Sequence, residues 1–301
     1  MKRHGAGNRE QQAFQLLIAS VLLLTACAPP RSSRITIGAK NFTEQVIAGE
    51  LLAQEIEAVG HRRVERRFYL AGSYICQQAL VGGRIDAYVE YTGTALTAIL
   101  KQPVDRDAAR VLASIRDLYA NRYQIRVEAP LGFEDTFAMV VRGDDAKRLG
   151  LRTLSDAVPH AVGWKLGVGY EFEERPDGLR GMEAAYGLRF AGAPRVMDLG
   201  LLYRSLSARQ VDIVAGNSTD GPIQALGFAV LADDRHYFPP YEAVPLVREE
   251  SLRAYPEMQV AMDRLAGKVS AEEMRTMNQA VDAGHRDAGD VVREFRARKG
   301  L

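Results

Sequence analysis

The chain has 301 residues, 47% hydrophobic and 26% charged, with a formal net charge of +1. That composition suits a globular protein with room for one large core or two of ordinary domain size. A balanced charge makes no bulk field to recruit nucleic acid or an anionic surface, so no nucleic-acid partner is expected.

At the N-terminus, Lys2, Arg3 and Arg9 precede an apolar run from Phe14 to Leu24. About eleven residues are too few to cross a hydrocarbon layer of ~30 Å as a helix, but they suit a secretory signal. Leu24-Thr25-Ala26-Cys27 resembles the lipobox of bacterial lipoproteins. That resemblance implies a signal peptide over 1–26, lipidation at Cys27, a tether over 27–33, and an extracytoplasmic chain anchored to a membrane. With Cys27 lipidated, Cys76 has no partner and no disulfide framework is expected. Cys76 then reads as a small core residue of a helix.

The first strand is expected over Arg34–Gly38, where apolar and polar residues alternate. Asn41 stands three residues before Glu44, a capping-box spacing, and Ala48, Leu52, Ile56 and Val59 recur at helical intervals until Gly60. A second strand is expected over Arg67–Leu70 and a helix over Gln77–Val81, ended by Gly82-Gly83. Ile85, Ala87 and Val89 then line one face of a third strand. This alternation predicts an α/β fold whose sheets are mostly parallel and flanked by helices, with ligands gathering beyond the carboxyl ends of the strands. Lys40, Asn41 and Tyr91 lie at such ends.

A polar helix is expected over 104–122, and a strand over Phe137–Val141 that crosses into a second lobe. There the pattern restarts: strand Lys165–Val168, a helix near Met182–Tyr186, strand Arg195–Met197, helix Leu199–Leu206, strand Val211–Ala215, and a short strand Phe228–Leu231. Pro239-Pro240 favours an extended return, and helices follow over Met258–Leu265 and Ala271–Val281. The second lobe, 136–241, is thus inserted in a first lobe of 34–135 plus 242–301. Hinged lobes of this kind clamp ligands. An echo between the lobes strengthens the expectation. With Leu80 set on Leu206, Ile85 falls on Val211, Asp86 on Asp212, Tyr91 on Asn217 and Thr92 on Ser218.

Signatures of catalysis are absent. The chain has no phosphate loop, no zinc-type histidine spacing and no Gly-x-Ser-x-Gly elbow, so no enzyme, cofactor or metal is expected. The aromatic residues are more informative. Tyr91, Phe137 and Tyr241 each lie where a strand or crossing segment meets the cleft, and ring faces attract a cation within ~6 Å. A trimethylammonium group has no N–H to donate, so a box of rings can select it where hydrogen-bond acceptors cannot.

Gly38-Ala-Lys-Asn-Phe-Thr-Glu-Gln45, Ile85-Asp-Ala-Tyr-Val-Glu-Tyr-Thr-Gly-Thr94, Arg175-Pro-Asp-Gly178, Ser218-Thr-Asp-Gly221 and Tyr237-Phe-Pro-Pro-Tyr241 resemble the osmoprotectant-binding proteins of ABC importers. That family takes up glycine betaine, choline, carnitine and related compounds, and the similarity runs from about Arg34 to Arg298. It implies a two-lobed, type II periplasmic-binding-protein fold with the ligand between the lobes. It also implies a monomer that delivers its solute to a membrane permease with its ATPase. The family's aromatic cage carries onto Tyr91, Phe137 and Tyr241, its carboxylate contacts onto Lys40, Thr94 and Arg175, and a polar residue near the cation onto Asp135. Asn217 stands where the family usually has a fourth cage tyrosine, and Phe137 replaces a usual tyrosine. The chain lacks one ring and one hydroxyl, which leaves other solutes of the same fold, such as ergothioneine, a polar amino acid or a polyamine, or a sensor role, as alternatives.

Overall fold

A computed structural model describes residues 34–301. The signal segment, the tether and Cys27 lie outside the described residues. Two five-stranded sheets form the frame. The first has the order β2-β1-β3-β10-β4, from β1 (Ile35–Gly38), β2 (Val64–Arg67), β3 (Ala87–Tyr91), β4 (Ile125–Val127) and β10 (Ala243–Arg248). The second has the order β7-β6-β8-β5-β9, from β5 (Phe137–Arg142), β6 (Leu166–Val168), β7 (Arg195–Val196), β8 (Ile213–Asn217) and β9 (Phe228–Leu231). In each sheet one strand, β10 or β5, runs antiparallel to both neighbours while the other four share one direction. Among the described residues no helix is long and apolar enough to cross a membrane.

The first sheet packs helices on both faces, so the residues of its central strands β1, β3 and nearly all of β10 are buried whichever face they point to. On one face Ile35, Ile37, Ala87, Val89 and Tyr91 pack with the Thr43–Gly60 helix and with helices after β10, including Glu257–Leu265, Ala271–Asp282 and Ala288–Lys299. On the other, Tyr88, Val244 and Leu246 pack with the Ser73–Val81 and Ala108–Tyr123 helices. Strand alternation thereby sends Tyr88 and Tyr91 to opposite faces. Met139, Val141, Leu166, Val168, Ile213 and Ala215 form the main core of the second sheet.

Several elements depart from expectation. The second strand is Val64–Arg67, not Arg67–Leu70. Tyr69 and Ala71 take left-handed backbone (φ 61° and 57°), which ends the strand and lets Leu70 N bond Ala39 O and Asn41 N bond Ala71 O. The first helix begins at Thr43 with Phe42 as its N-cap and no side-chain cap, so Asn41 and Glu44 do not form a capping box. Glu44 instead turns inward. Strand β10 was not expected, because Pro245 interrupts its apolar run. Pro245 C=O accepts from Glu128 N (3.0 Å), just past the end of β4, so the missing N–H falls where the ladder has already ended.

The chain crosses between the sheets twice, and the two crossings run side by side. Glu134 and Glu242 form an antiparallel bridge, Asp135 N bonds Tyr241 O (3.1 Å) and Ala243 N bonds Phe133 O (3.0 Å). The echo between Asp86 and Asp212 has a structural cause. Asp86 N bonds Thr36 O (2.7 Å) and its Oδ2 accepts from Thr36 N (2.7 Å). Asp212 N bonds Lys165 O (2.8 Å) and its Oδ2 accepts from Lys165 N (3.0 Å). Each aspartate pins its strand beside the neighbouring parallel strand, which delivers Tyr91 and Asn217 to equivalent strand ends.

Candidate functional site

One cavity of about 660 Å³, its mouth included, lies between the sheets. Lys40, Tyr91, Thr94, Asp135, Phe137, Arg175, Asn217 and Tyr241 all line it. Lys40 and Asn41 follow β1, Tyr91 ends β3 and Asn217 ends β8, so two sheets aim strand termini at the same space. Asp135 and Tyr241 come from the crossings, and Phe137 opens β5. After Tyr91 a helical turn, Thr92–Thr94, runs into a π-helix over Ala95–Ile99, a form common at functional sites. Gly93 is required there, because a Cβ would sit 2.7 Å from Pro240 O and 2.8 Å from the Tyr241 ring.

The site is nearly closed to solvent: Lys40, Tyr91, Thr94, Arg175 and Tyr241 are each 5% exposed or less. Arg175 donates through Nε to Asp177 Oδ1 (2.9 Å), through Nη2 to Asp177 Oδ2, and through Nη1 to Thr94 Oγ1 (2.9 Å). Tyr241 Oη donates to the same Asp177 (2.6 Å). Burial opposes the Arg175 charge, but Asp177 beside it more than offsets this and strengthens the guanidinium as a base. Burial likewise disfavours charged Asp177, yet Arg175 holds that carboxyl below its ordinary range. Lys40 pairs with Glu90, which also accepts from Tyr91 N (2.7 Å) and Tyr88 Oη (3.2 Å). Both cations already have anionic partners and the lining also holds Asp135 and Glu171, so among the described residues the pocket offers no unpaired positive charge to a bare anion.

The rings meet nearly at right angles. Phe137 and Tyr241 have centroids 5.7 Å apart and planes at 73°, and Phe172 stands edge-on to Phe137 at 4.8 Å. The Arg175 guanidinium lies 4.8 Å from the Phe137 centroid and 5.7 Å from that of Tyr241, and Lys40 Nζ lies 4.8 Å from the Tyr91 centroid. Protein cations therefore use part of the ring surface, which leaves the remaining faces and edges for a solute. Phe42, Tyr170 and Phe172 also line the cavity, so its aromatic surface extends beyond the three rings picked out in the sequence. Tyr88 is fully buried on the opposite face of β3 and takes no part in the lining.

A cluster of acids lies beneath Tyr91. Glu44 accepts from Tyr91 Oη (2.5 Å), Asn278 Nδ2 (3.2 Å) and Thr219 Oγ1. Asp135 accepts from Thr219 N (3.2 Å) and Thr219 Oγ1 (2.7 Å). A single hydroxyl proton cannot serve both carboxylates, so the pair holds a shared proton. Burial raises the Glu44 carboxyl to about 6, and burial with Glu44 nearby raises Asp135 well above its ordinary value.

Across the cleft mouth, Glu171 accepts from Ser73 N (2.6 Å) and Ser73 Oγ (3.2 Å), capping the Ser73–Val81 helix from the opposite side. With the bonds from Arg175 to Thr94 and from Thr219 to Glu44, this gives a closed cleft. Sequence reasoning did not single out Glu44, Glu90, Asp177, Thr219 or Glu171 as site residues. The signal available was membership of the quoted motifs, which contain Glu44, Glu90, Asp177 and Thr219 but not Glu171.

Residues 33–298 match the family described as the substrate-binding domain of ABC-type glycine betaine transport systems. The carnitine transport binding protein OpuCC of Listeria monocytogenes is 32% identical over 287 residues, covering 93% of each chain. The ergothioneine transport permease/ergothioneine binding protein EgtU of Helicobacter pylori is 30% identical over 95% of this chain, which spans 51% of that longer protein. A solved glycine betaine/carnitine/choline ABC transporter structure superposes with a TM-score of 0.73 at 31% identity, covering 88% of this chain and 98% of its own. With its paired sheets and inter-lobe cavity, the chain belongs to the substrate-binding proteins of ABC-type glycine betaine transport systems, and its fold is that of the type II periplasmic binding proteins.

Proposed function

We propose that this protein captures a zwitterionic quaternary ammonium solute outside the cytoplasm and hands it to a membrane permease. Tyr91, Phe137 and Tyr241 surround the cation, with Asp135 close by. Lys40, Thr94 and Arg175 hold the anionic end, and Asn217 closes the side left open by the missing ring. The observation that carries this reading is the convergence of all eight residues, drawn from both sheets and both crossings, on one buried cavity. A lobe of 34–135 plus 242–301 closes on a lobe of 136–241, with the paired crossings as hinge. Cys27 carries a lipid that tethers a monomer to the membrane.

The test is calorimetry with glycine betaine, choline and carnitine against 3,3-dimethylbutanoate, which replaces the betaine nitrogen by carbon. Each ring contact with a cation is worth ~0.5–2 kcal/mol, so this isostere, which keeps the carboxylate but has no cation, should bind at least about tenfold more weakly than glycine betaine. Equal affinities would sink the cage, as would silence from all three cations beside strong binding of an uncharged solute. Loss of membrane association in Cys27→Ala checks the anchor.

A further inference from the structure

A second cavity opens beyond Asn217. It shares Asn41, Phe42, Leu199 and Asn217 with the first and encloses about 1120 Å³, its mouth included. Its charged lining is acidic: Glu44, Asp198, Asp220 and Asp282 face it, against Arg204 as the one cation among the described residues. Asn278 adds an unused acceptor. This residue is 2% exposed, its Nδ2 donates to Glu44 and to Thr219 O, and its Oδ1 has no partner. Asn217 is the gatepost. Its backbone N–H is held by Asp220 Oδ2 (2.9 Å), while its carboxamide makes no hydrogen bond among the described residues and can both donate and accept. By sheet order it occupies the strand end that Tyr91 occupies in the first sheet. Asn217 lines both cavities, so a ring there would fill more of the boundary between them than the smaller carboxamide does.

We propose that the solute is a betaine with a nitrogen-bearing side chain, whose protonated or N–H group passes Asn217 into this acidic annex. The proposal rests on the quaternary ammonium reading above, and it names the chemical class of the substrate within it. The cation and carboxylate of such a molecule fill the first cavity as glycine betaine would. Its side chain then meets Asp220, Glu44 and the free Oδ1 of Asn278, groups that a compact betaine leaves without a ligand donor. Asp220 is fixed by Tyr203 Oη (2.6 Å), so the acceptor is positioned before the ligand arrives. Burial, reinforced by Asp135, holds the Asp220 carboxyl up at about 7. A cation seated beside it will therefore expel a proton near neutral pH.

The mature protein is titrated with the trimethyl betaines of glycine, norleucine and lysine. The last two differ chiefly in the terminal ammonium group. Lysine betaine should bind at least about tenfold more tightly than norleucine betaine, and at pH 6.5 its binding alone should release protons, read from buffers of different ionisation enthalpy. Asn217→Tyr should abolish that preference, and Asp220→Asn should shrink it below about threefold. A single cooperative thermal transition in each variant verifies that both fold. Equal affinity of the lysine and norleucine betaines overturns the annex but leaves the quaternary ammonium reading standing. Failure of all three betaines overturns both.

Discussion

Replacing Arg175 by Met should cost stability through the partner it strands. The Asp177 carboxylate is 0% exposed and takes two hydrogen bonds from Arg175 and one from Tyr241. Removing one member of a buried pair leaves an uncompensated charge, typically a loss of about 3–5 kcal/mol. At roughly 2–4 °C per kcal/mol for a chain near this size, the midpoint should fall by about 6–20 °C. Asp177→Asn alone should also destabilise, by leaving the guanidinium unpaired against Phe137 and Tyr241. The double variant, Arg175→Met with Asp177→Asn, should cost less than the sum of the two, because no stranded charge remains. Thermal and urea melts of the four proteins measure this coupling. Ligand titrations add a second arm: glycine betaine, which has a carboxylate, should lose more affinity in Arg175→Met than choline, which has none. Additive single-variant effects, or a midpoint within a degree of the parent for Arg175→Met, would refute the reasoning.

Glu44, Asp135 and Asp220 hold protons in the folded chain that the unfolded chain releases, since their carboxyls are raised by burial. Their contribution to stability is therefore full at pH values below the unfolded carboxylate range and is lost as pH climbs from about 3.8 to about 7. Melts across that window should show a falling midpoint, with a shallower fall in Glu44→Gln; a rise would contradict the assignment. In Gly72→Ala a Cβ would lie 2.1 Å from Glu171 Oε1, driving Glu171 off the Ser73 N–H. The fold should persist while solute affinity drops several-fold, and an unaltered affinity would exclude Glu171 as a latch. The Cys76 thiol is fully buried and pushed up to about 12 by burial, so in a Cys27→Ala background it should resist alkylation at pH 8 until urea is added.

The chain's local signals made much of the fold legible. Alternating helices and strands announced sheets flanked by helices, and the matched Asp86 and Asp212 marked a repeated turn whose hydrogen bonds the structure shows in both halves. Signals failed where a tertiary partner outweighed local preference. Asn41 and Glu44 have capping-box spacing, but Tyr91 and Thr219 engage Glu44 in the cleft. Pro245 disguised β10 because its missing donor matters only on the side where β4 has ended.

The amino-acid order supplies the residue types: three rings and two cations at strand ends and crossings, in an order that resembles one transport family. Those properties are carried by periodicity and short motifs, which are local. What each group faces follows from packing in three dimensions. That packing paired Lys40 with Glu90 and Arg175 with Asp177, laid the Arg175 guanidinium against Phe137 and Tyr241, and joined Asn217 to an acidic cavity walled by residues as distant in sequence as Asp198 and Asp282. Charge balance and cavity shape depend on distances between segments far apart in the chain, and packing sets those distances.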